Sequence, residues 1–175
     1  MKSNQTPFQG LKASYDQYVI DYKQFLKLRG FGEHVNDWPF VKRGFLECWT
    51  QPGFHRFWQT WNPGIGYFAY RIYLSCGGKE RQNWATIAAF LVNGLVHNLV
   101  VSLFIWRWDF PLPFTFTLFG FLTIVSRWLD GRMNMNRWPK FLHLAINVGL
   151  VILSFDFGFR MNDLLQALLF FSSWK

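Results

Sequence analysis

Two polar side chains interrupt the most hydrophobic stretch of the chain. The stretch runs from Trp84 to Trp106, and at 1.5 Å of rise per helical residue it is long enough to cross the ~30 Å hydrocarbon core of a bilayer. Asn93 and His97 lie within it, four residues apart, so a helix places them on one face. Polar groups at this depth are costly and by default face a protein interior or a wet cavity. The pair therefore marks either a functional site or a hydrogen bond to a neighbouring helix, and position alone favours neither.

A neutral imidazole in a water-poor site can act as a general base toward a hydroxyl group when a polar neighbour orients it. A carboxamide such as that of Asn62 or Asn93 can fix the tautomer of the ring or stabilise the oxyanion of a thioester under attack. These groups suit acyl transfer from a thioester to an alcohol, which requires neither a metal nor a redox cofactor. Of the four histidines, only His97 is expected to lie deep in the protein, since His34, His55 and His143 fall outside or at the ends of the apolar stretches.

Other catalytic and metal-binding patterns are missing from the sequence. It contains no G-x-S-x-G nucleophile elbow and no H-E-x-x-H zinc helix. Its aspartates at positions 109, 130, 156 and 163 fall near the predicted membrane edges and form no carboxylate pair. Cys48 and Cys76 have no C-x-x-C spacing and are predicted to be free thiols in a reducing compartment. No metal site is therefore predicted.

Composition identifies a membrane protein. Hydrophobic residues make up 51% and aromatic residues 21% of the 175 residues, well above the usual values for a soluble domain. The net charge of +8 does not indicate a nucleic-acid partner, because the basic residues flank apolar segments and form no groove-reading motif. The positive-inside bias and contact with anionic lipid headgroups explain the charge better. The N-terminal MKSNQTPFQG has no apolar core of a signal peptide.

Residues 1–53 are predicted to form an amphipathic N-terminal segment on the cytoplasmic side or at the membrane interface. Aromatic and aliphatic residues recur at helical spacing over 8–28 among five charges, which predicts a helix lying on the membrane surface or against other helices. Gly30 and Gly32 are expected to end it. Residues 33–53 contain Pro39, Pro52 and paired basic residues, and are predicted to be mostly loop with at most one short helix.

Residues 54–175 are predicted to form the membrane domain of an all-α, polytopic protein. An aromatic interfacial or re-entrant helix over 54–76 should break at Asn62-Pro63-Gly64 and end at Gly77-Gly78. Spans are predicted over 84–106, 114–129 and 141–159, with a partial fourth helix over 164–174, which gives three to four transmembrane helices. Basic loops before residue 82 and over 127–140 should be cytoplasmic, and neutral turns at 107–109 and 160–163 should face outward. The expected location is the cytoplasmic (inner) membrane.

Part of this membrane domain resembles a known family. The segment RFWQTWN over 56–62, an aromatic helix, Gly77-Gly78, a basic turn and FLVNGLVHN over 90–98 resemble the membrane-bound O-acyltransferase (MBOAT) family, and most of all its bacterial branch that O-acylates extracellular polysaccharides. The resemblance implies a curved bundle of membrane helices around a tunnel. It places His97 on the active-site histidine of the family and Asn62 on its Asn/His position.

The resemblance also implies the substrates. The donor would be a cytoplasmic thioester, acyl-CoA or acyl-carrier protein, and the acceptor a hydroxyl group, with polysaccharide and lipid among the candidates. No cofactor is implied beyond the donor. The residues implied in contacts with the donor or substrate are Arg56, Trp58, Trp61, Arg71, Lys79, Arg81 and Asn93. For Trp58 and Trp61, anchoring at the membrane interface is an equally good alternative. Two departures from the family are clear: Val96 and Asn98 replace the Trp and Gly that flank its histidine, and family members are more than twice this length. Three interpretations therefore stay open. The protein is a compact variant, it works with a second membrane chain that completes the tunnel, or it is a remnant.

Two other functions remain as alternatives. In a non-catalytic membrane subunit, Asn93 and His97 would bond a partner helix across the bilayer. In a transporter or lipid-binding accessory protein, paired broken helices in two related halves would be expected, and the sequence shows no internal repeat.

Overall fold

A computed structural model describes residues 20–31, 38–106 and 109–172 of the chain. These residues contain helices and no strand, which confirms the all-α class. The α-helices are α1 (Tyr22–Leu28), α2 (Trp38–Val41), α3 (Phe54–Thr60), α4 (Pro63–Ser75), α5 (Gln82–Ile105), α6 (Pro111–Met133) and α7 (Lys140–Ser172). A π-helical turn (Lys42–Leu46) and a 3₁₀ turn (Glu47–Thr50) continue α2, and a second 3₁₀ turn (Met135–Arg137) joins α6 to α7.

Three of these helices have the length and composition of membrane spans: α5, α6 and the part of α7 from Lys140 to Leu169. The protein is therefore polytopic, as the sequence predicts. The predicted spans 84–106 and 114–129 correspond to α5 and α6, and α6 is longer than predicted at both ends. Large apolar side chains such as Phe104, 82% exposed, cover the outside of the bundle, where a bilayer would meet them.

The predicted third span and partial fourth helix are wrong as separate elements, because α7 is one helix of 33 residues. The charges around residue 160 do not form an outward turn. Arg160 and Asp156 lie one helical turn apart and pair on the exposed side of α7, with Nε and Oδ2 2.7 Å apart. On the buried side, Asn162 Oδ1 accepts a hydrogen bond from the Phe110 backbone N–H at 2.8 Å. Since no Gly or Pro follows residue 158, nothing in the backbone interrupts the helix.

The described part of the N-terminal segment packs on the membrane domain. Asp21 caps α1 through a capping box with Gln24, whose backbone N–H lies 2.7 Å from the Asp21 carboxylate. Phe25 on the apolar face of α1 contacts Tyr67 of α4, with ring centroids 5.4 Å apart. The helix ends before Gly30, whose φ is +71°. The predicted helical residues 8–19 and the predicted stop at Gly32 lie outside the described residues.

Residues 38–50 form consecutive helical turns, so the prediction that 33–53 is mostly loop is wrong for this part. Pro39 occupies the first turn of α2, where the missing proline N–H has no helical partner to lose. The π-helical turn then lets Gly44 approach the start of α4, because a Cβ there would lie only 3.1 Å from Pro63 Cδ. Pro39, which suggested a loop in the sequence, therefore belongs to a helix start.

The predicted break in the aromatic helix is confirmed. Helix α3 ends at Thr60, and α4 begins at Pro63, the favoured position for proline in a first turn. Asn62 joins them in the left-handed conformation, with φ of 35°. At the other end, α4 stops before Gly77 and Gly78, both with positive φ.

Glycines bring the three long helices together. A Cβ on Gly94 of α5 would lie 2.8 Å from Phe116 Cβ and 2.9 Å from the Leu112 carbonyl oxygen of α6. A Cβ on Gly158 of α7 would lie even closer to Thr115, and 2.6 Å from the Pro111 carbonyl oxygen, on an adjacent face of α6. Small residues at such positions are typical of helix packing in membranes, and they make α6 the central helix of the bundle.

Candidate functional site

His97 lies on α5 and packs against α6, with its ring centroid 5.0 Å from that of Phe116. Its Nδ1 lies 2.9 Å from the backbone carbonyl oxygen of Asn93. A carbonyl oxygen only accepts hydrogen bonds, so Nδ1 carries the proton in the neutral ring and Nε2 carries the lone pair. Nε2 has no hydrogen-bond partner among the described residues. The ring therefore has the tautomer of a general base.

A cavity of about 350 Å³ lies beside this ring, at the lower end of the usual range for ligand pockets. It lies between α3, α4, α5, α6 and α7, and the side chains of His97 and Asn93 form part of its wall. Half of the sixteen lining residues are Phe or Trp: Trp49, Phe57, Trp58, Trp61, Phe90, Phe116, Phe119 and Phe155. The cavity is thus an apolar space with a few polar groups at its wall, the usual composition of a small-molecule site.

Asn93 contributes one of those polar groups. The residue is 6% exposed and lies one turn before His97 on the same face of α5. Its backbone carbonyl orients the imidazole, while its carboxamide has no hydrogen-bond partner in the part of the chain that the structure describes. This carboxamide is a hydrogen-bond donor for a ligand that carries a carbonyl group in the cavity.

Trp58 and Trp61 both line the cavity, as their predicted place on a donor path requires. Trp58 stacks at a tilt on Phe119, with centroids 4.7 Å apart. Its indole Nε1 is buried, and among the described residues it has no hydrogen-bond partner. Because that nitrogen is buried, Trp58 contributes its apolar ring to the cavity wall and not a polar group.

Asn62 is not part of the cavity wall. Its side-chain oxygen accepts a hydrogen bond from the Ile65 backbone N–H at 3.4 Å and caps α4. Its own backbone N–H donates to the Gly44 carbonyl at 3.2 Å. The structure thus brings Asn93, and not Asn62, together with His97 at the cavity.

The basic residues predicted to contact the donor are engaged within the protein or exposed at the bundle end. Arg56 Nη2 lies 2.8 Å from Asp130 Oδ2, and the same guanidinium bonds Asn136. Arg71 donates to the Tyr67 hydroxyl at 3.4 Å. Lys79 and Arg81 are exposed in the turn between α4 and α5.

A second polar cluster was missed by the sequence reasoning, which expected His55 to be shallow. His55 is 8% exposed. Its Nδ1 lies 3.1 Å from Ser126 Oγ and its Nε2 3.7 Å from Asp130 Oδ2. Burial lowers the pKa of His55, opposed by Asp130 and reinforced by Arg56. Ser126 and Asp130 are four residues apart and share one face of α6, but nothing local in the sequence indicates that His55 contacts them.

The same residue types form a nucleophilic triad in hydrolases, but this cluster has no room for a substrate. A Cβ on Gly53 would lie 3.0 Å from both His55 Nδ1 and Ser126 Oγ. The Asp130 carboxylate also accepts the Met135 backbone N–H at 3.2 Å. We refer to His55, Arg56, Ser126 and Asp130 as the polar clamp, because they fasten α3 to the end of α6. His143, 4% exposed, is a further buried histidine that the sequence reasoning placed at an edge.

The described residues include no group of three His, Cys, Asp or Glu side chains positioned to hold a metal ion. Cys48 and Cys76 are free, and burial raises the pKa of the Cys48 thiol to about 11. Comparison of the chain with protein-family models, with curated proteins and with solved structures found no significant match.

Proposed function

We propose that the protein is a membrane-embedded O-acyltransferase in which His97 is the general base. The observation that carries the proposal is the 2.9 Å contact between His97 Nδ1 and the Asn93 carbonyl. It leaves the Nε2 lone pair available on a ring that lines an apolar cavity. Because general-base catalysis on a hydroxyl requires such a lone pair in a water-poor site, acyl transfer to an alcohol fits these groups best.

The reaction balances with the groups at the cavity. Nε2 accepts the proton of the acceptor hydroxyl group. The oxygen of that hydroxyl group attacks the carbonyl carbon of the thioester at the same time. The Asn93 carboxamide N–H donates to the oxyanion of the tetrahedral intermediate. The C–S bond then breaks, and the leaving thiolate takes the proton from Nε2. Asn93 replaces Asn62 in the oxyanion role, because only Asn93 lies at the cavity wall.

The donor is proposed to be acyl-CoA or an acyl-carrier thioester that arrives from the basic end of the bundle. Arg127 Nη2 at the end of α6 donates to Asn83 Oδ1 at the start of α5, 3.1 Å away. This hydrogen bond places the basic turn at 79–81 and the basic loop after residue 126 at the same end of the helix bundle. The positive-inside rule would make that end cytoplasmic. His97 lies about 22 Å along α5 from that end, within reach of a thioester carried on a long pantetheine arm. The acceptor is a hydroxyl group on a polysaccharide or a lipid.

Transfer of a radiolabelled acyl group from acyl-CoA by the purified protein in nanodiscs tests the proposal. The His97→Gln variant preserves a donor toward the Asn93 carbonyl but has no titratable base, so turnover should fall by about 100-fold to 10,000-fold. Val96→Ala is the matched control, because Val96 is adjacent to His97 and 41% exposed on the outside of the bundle. Unchanged turnover in His97→Gln would refute the mechanism. If the wild type shows no transfer, and if His97→Ala releases a co-purifying membrane protein, the non-catalytic subunit is the better description.

A further inference from the structure

We propose that the cavity beside His97 selects linear acyl chains of about a dozen carbons. This inference rests on the proposed function and specifies its acyl group. Three observations carry it: the volume of the cavity, the rigidity of its aromatic wall, and the small side chains on one side of it.

The cavity is partly open, so its volume sets the size of the part of a ligand that it encloses. A dry apolar cavity of about 150 Å³ in another protein holds benzene, which corresponds to roughly 25 Å³ per carbon. At that ratio the cavity of about 350 Å³ accommodates about 14 non-hydrogen atoms. A carbonyl group beside Asn93 and His97 uses two of them, and about 12 remain for the rest of the chain. A linear acyl group fits the lining, which offers apolar contact along most of the cavity and polar groups at few places.

The aromatic wall resists expansion. Phe57 and Phe119 are each 1% exposed, and Trp58 lies between them with centroid distances of 4.9 Å and 4.7 Å. Rings packed on one another in this way cannot easily move away from the cavity to make it larger. Protein interiors relax only partly around a ligand that is too large. Each methylene that fits should raise affinity roughly fourfold, and further methylenes should add nothing from this wall.

Small side chains line another part of the wall and make the length adjustable. Gly66 and Ala69 of α4 and Ala89 of α5 contribute the least side-chain volume to the lining. Ala69→Leu adds three carbons to the wall and should shorten the preferred chain by about three carbons. Phe90→Leu removes three carbons from the wall and should lengthen it by about three carbons.

Binding and turnover are measured separately across acyl chains from four to sixteen carbons. Binding is followed by the shift of the thermal unfolding midpoint in nanodiscs, with acyl-CoA in one series and free fatty acid in another. Gly149→Leu is the matched control, because a Cβ at Gly149 meets nothing within 4 Å. Partition of the ligands into the nanodisc lipid is the same for all variants, so the change in preferred length between variants is the quantity to compare.

The proposal expects a binding optimum near 12 carbons for wild type and the Gly149→Leu control, a shorter optimum for Ala69→Leu and a longer one for Phe90→Leu. The same optimum in both ligand series places the chain itself in the cavity, and an optimum only in the acyl-CoA series would overturn that placement. Length-selective binding without turnover would sustain the inference and reject the transferase. Turnover with no length optimum, or an optimum that Ala69→Leu and Phe90→Leu leave unchanged, would reject the inference and keep the transferase.

Discussion

Two histidines of this protein contact the same central helix, α6, in opposite ways. His97 packs on Phe116 near the start of α6, with Nδ1 engaged, Nε2 without a partner in the described residues, and a cavity beside it. His55 contacts Ser126 and Asp130 near the end of α6, with both ring nitrogens facing polar groups and no space around it.

The comparison shows that residue types alone do not identify a site. His55 has the richer set of partners, because a hydroxyl, a carboxylate and a guanidinium surround it. These groups satisfy one another, and a fully satisfied buried network contributes rigidity and specificity of packing. His97 has fewer partners but retains a lone pair and a place for a ligand. The predictions below test whether chemistry and stability separate between the two regions.

Among these predictions, the largest effect is the difference in turnover between substitutions of the two asparagines assigned to the site. Asn93→Ala removes the proposed oxyanion donor and should lower turnover by about 100-fold to 1,000-fold, with little change in the unfolding midpoint. Asn62→Ala should leave turnover per folded molecule unchanged and destabilise the protein by about 1 kcal/mol, because it removes the cap of α4. Asn62→Gly should recover part of that loss, since Asn62 has a positive φ. Acyl-transfer assays and thermal unfolding of the same preparations measure both effects, and equal turnover in Asn93→Ala and Asn62→Ala would contradict the assignment.

Breaking the polar clamp should cost stability and leave chemistry intact. Asp130→Ala leaves the Arg56 guanidinium and His55 without their carboxylate, and the expected loss is about 3 kcal/mol. The control is Asp156→Ala, which removes a pair of similar length on the outside of α7, where the aspartate side chain is 57% exposed. An exposed i, i+4 pair contributes only about 0.3–0.5 kcal/mol. Unfolding midpoints in detergent provide the measurement, and equal losses in the two variants would show that the clamp is not a stabilising network.

The contact between α5 and α6 should be sensitive to a single methyl group on the cavity helix. Gly94→Ala forces a Cβ to within 2.8 Å of Phe116 Cβ, and such overpacking costs about 1–3 kcal/mol. Because Phe116 also packs on His97, turnover should fall together with stability. Gly149→Ala, where the new Cβ meets nothing within 4 Å, should be neutral or slightly stabilising from helix propensity. A drop in the midpoint without any change in turnover would show that the two contacts of Phe116 are independent.

Local signals explain what the sequence could predict. The long apolar run of α5 and the four-residue spacing of Asn93 and His97 give a membrane helix with both residues on its buried side. The break between α3 and α4 follows from Pro63 and the two glycines near it, which act on their own turn of the backbone. These features depend on residues within one or two helical turns, so one sequence is enough to find them.

The missed features depend on distant partners. His55 and Asp130 are 75 positions apart in the sequence, and no local pattern announces their contact. The charges at 156 and 160 looked like the end of a span, yet they pair along the exposed side of a helix that continues. The resemblance assigned the site amide to Asn62, while the fold uses that side chain as a cap and places Asn93 at the cavity.

The smallest expected effect is the pH dependence that the polar clamp gives to stability. Because burial lowers the pKa of His55 from its ordinary value of 6.5, the unfolded chain binds a proton more readily than the folded one. The contribution of neutral His55 is therefore complete above pH 6.5 and is lost as the pH falls through the lowered pKa of the folded state. His55→Gln should lower the midpoint at pH 7.5 and flatten its decline between pH 7 and 5. The other histidines are present in both proteins, so the difference between the two curves isolates the effect of His55. Parallel curves for wild type and His55→Gln would mean that His55 does not titrate differently in the folded protein, and that the clamp stabilises α3 and α6 by packing alone.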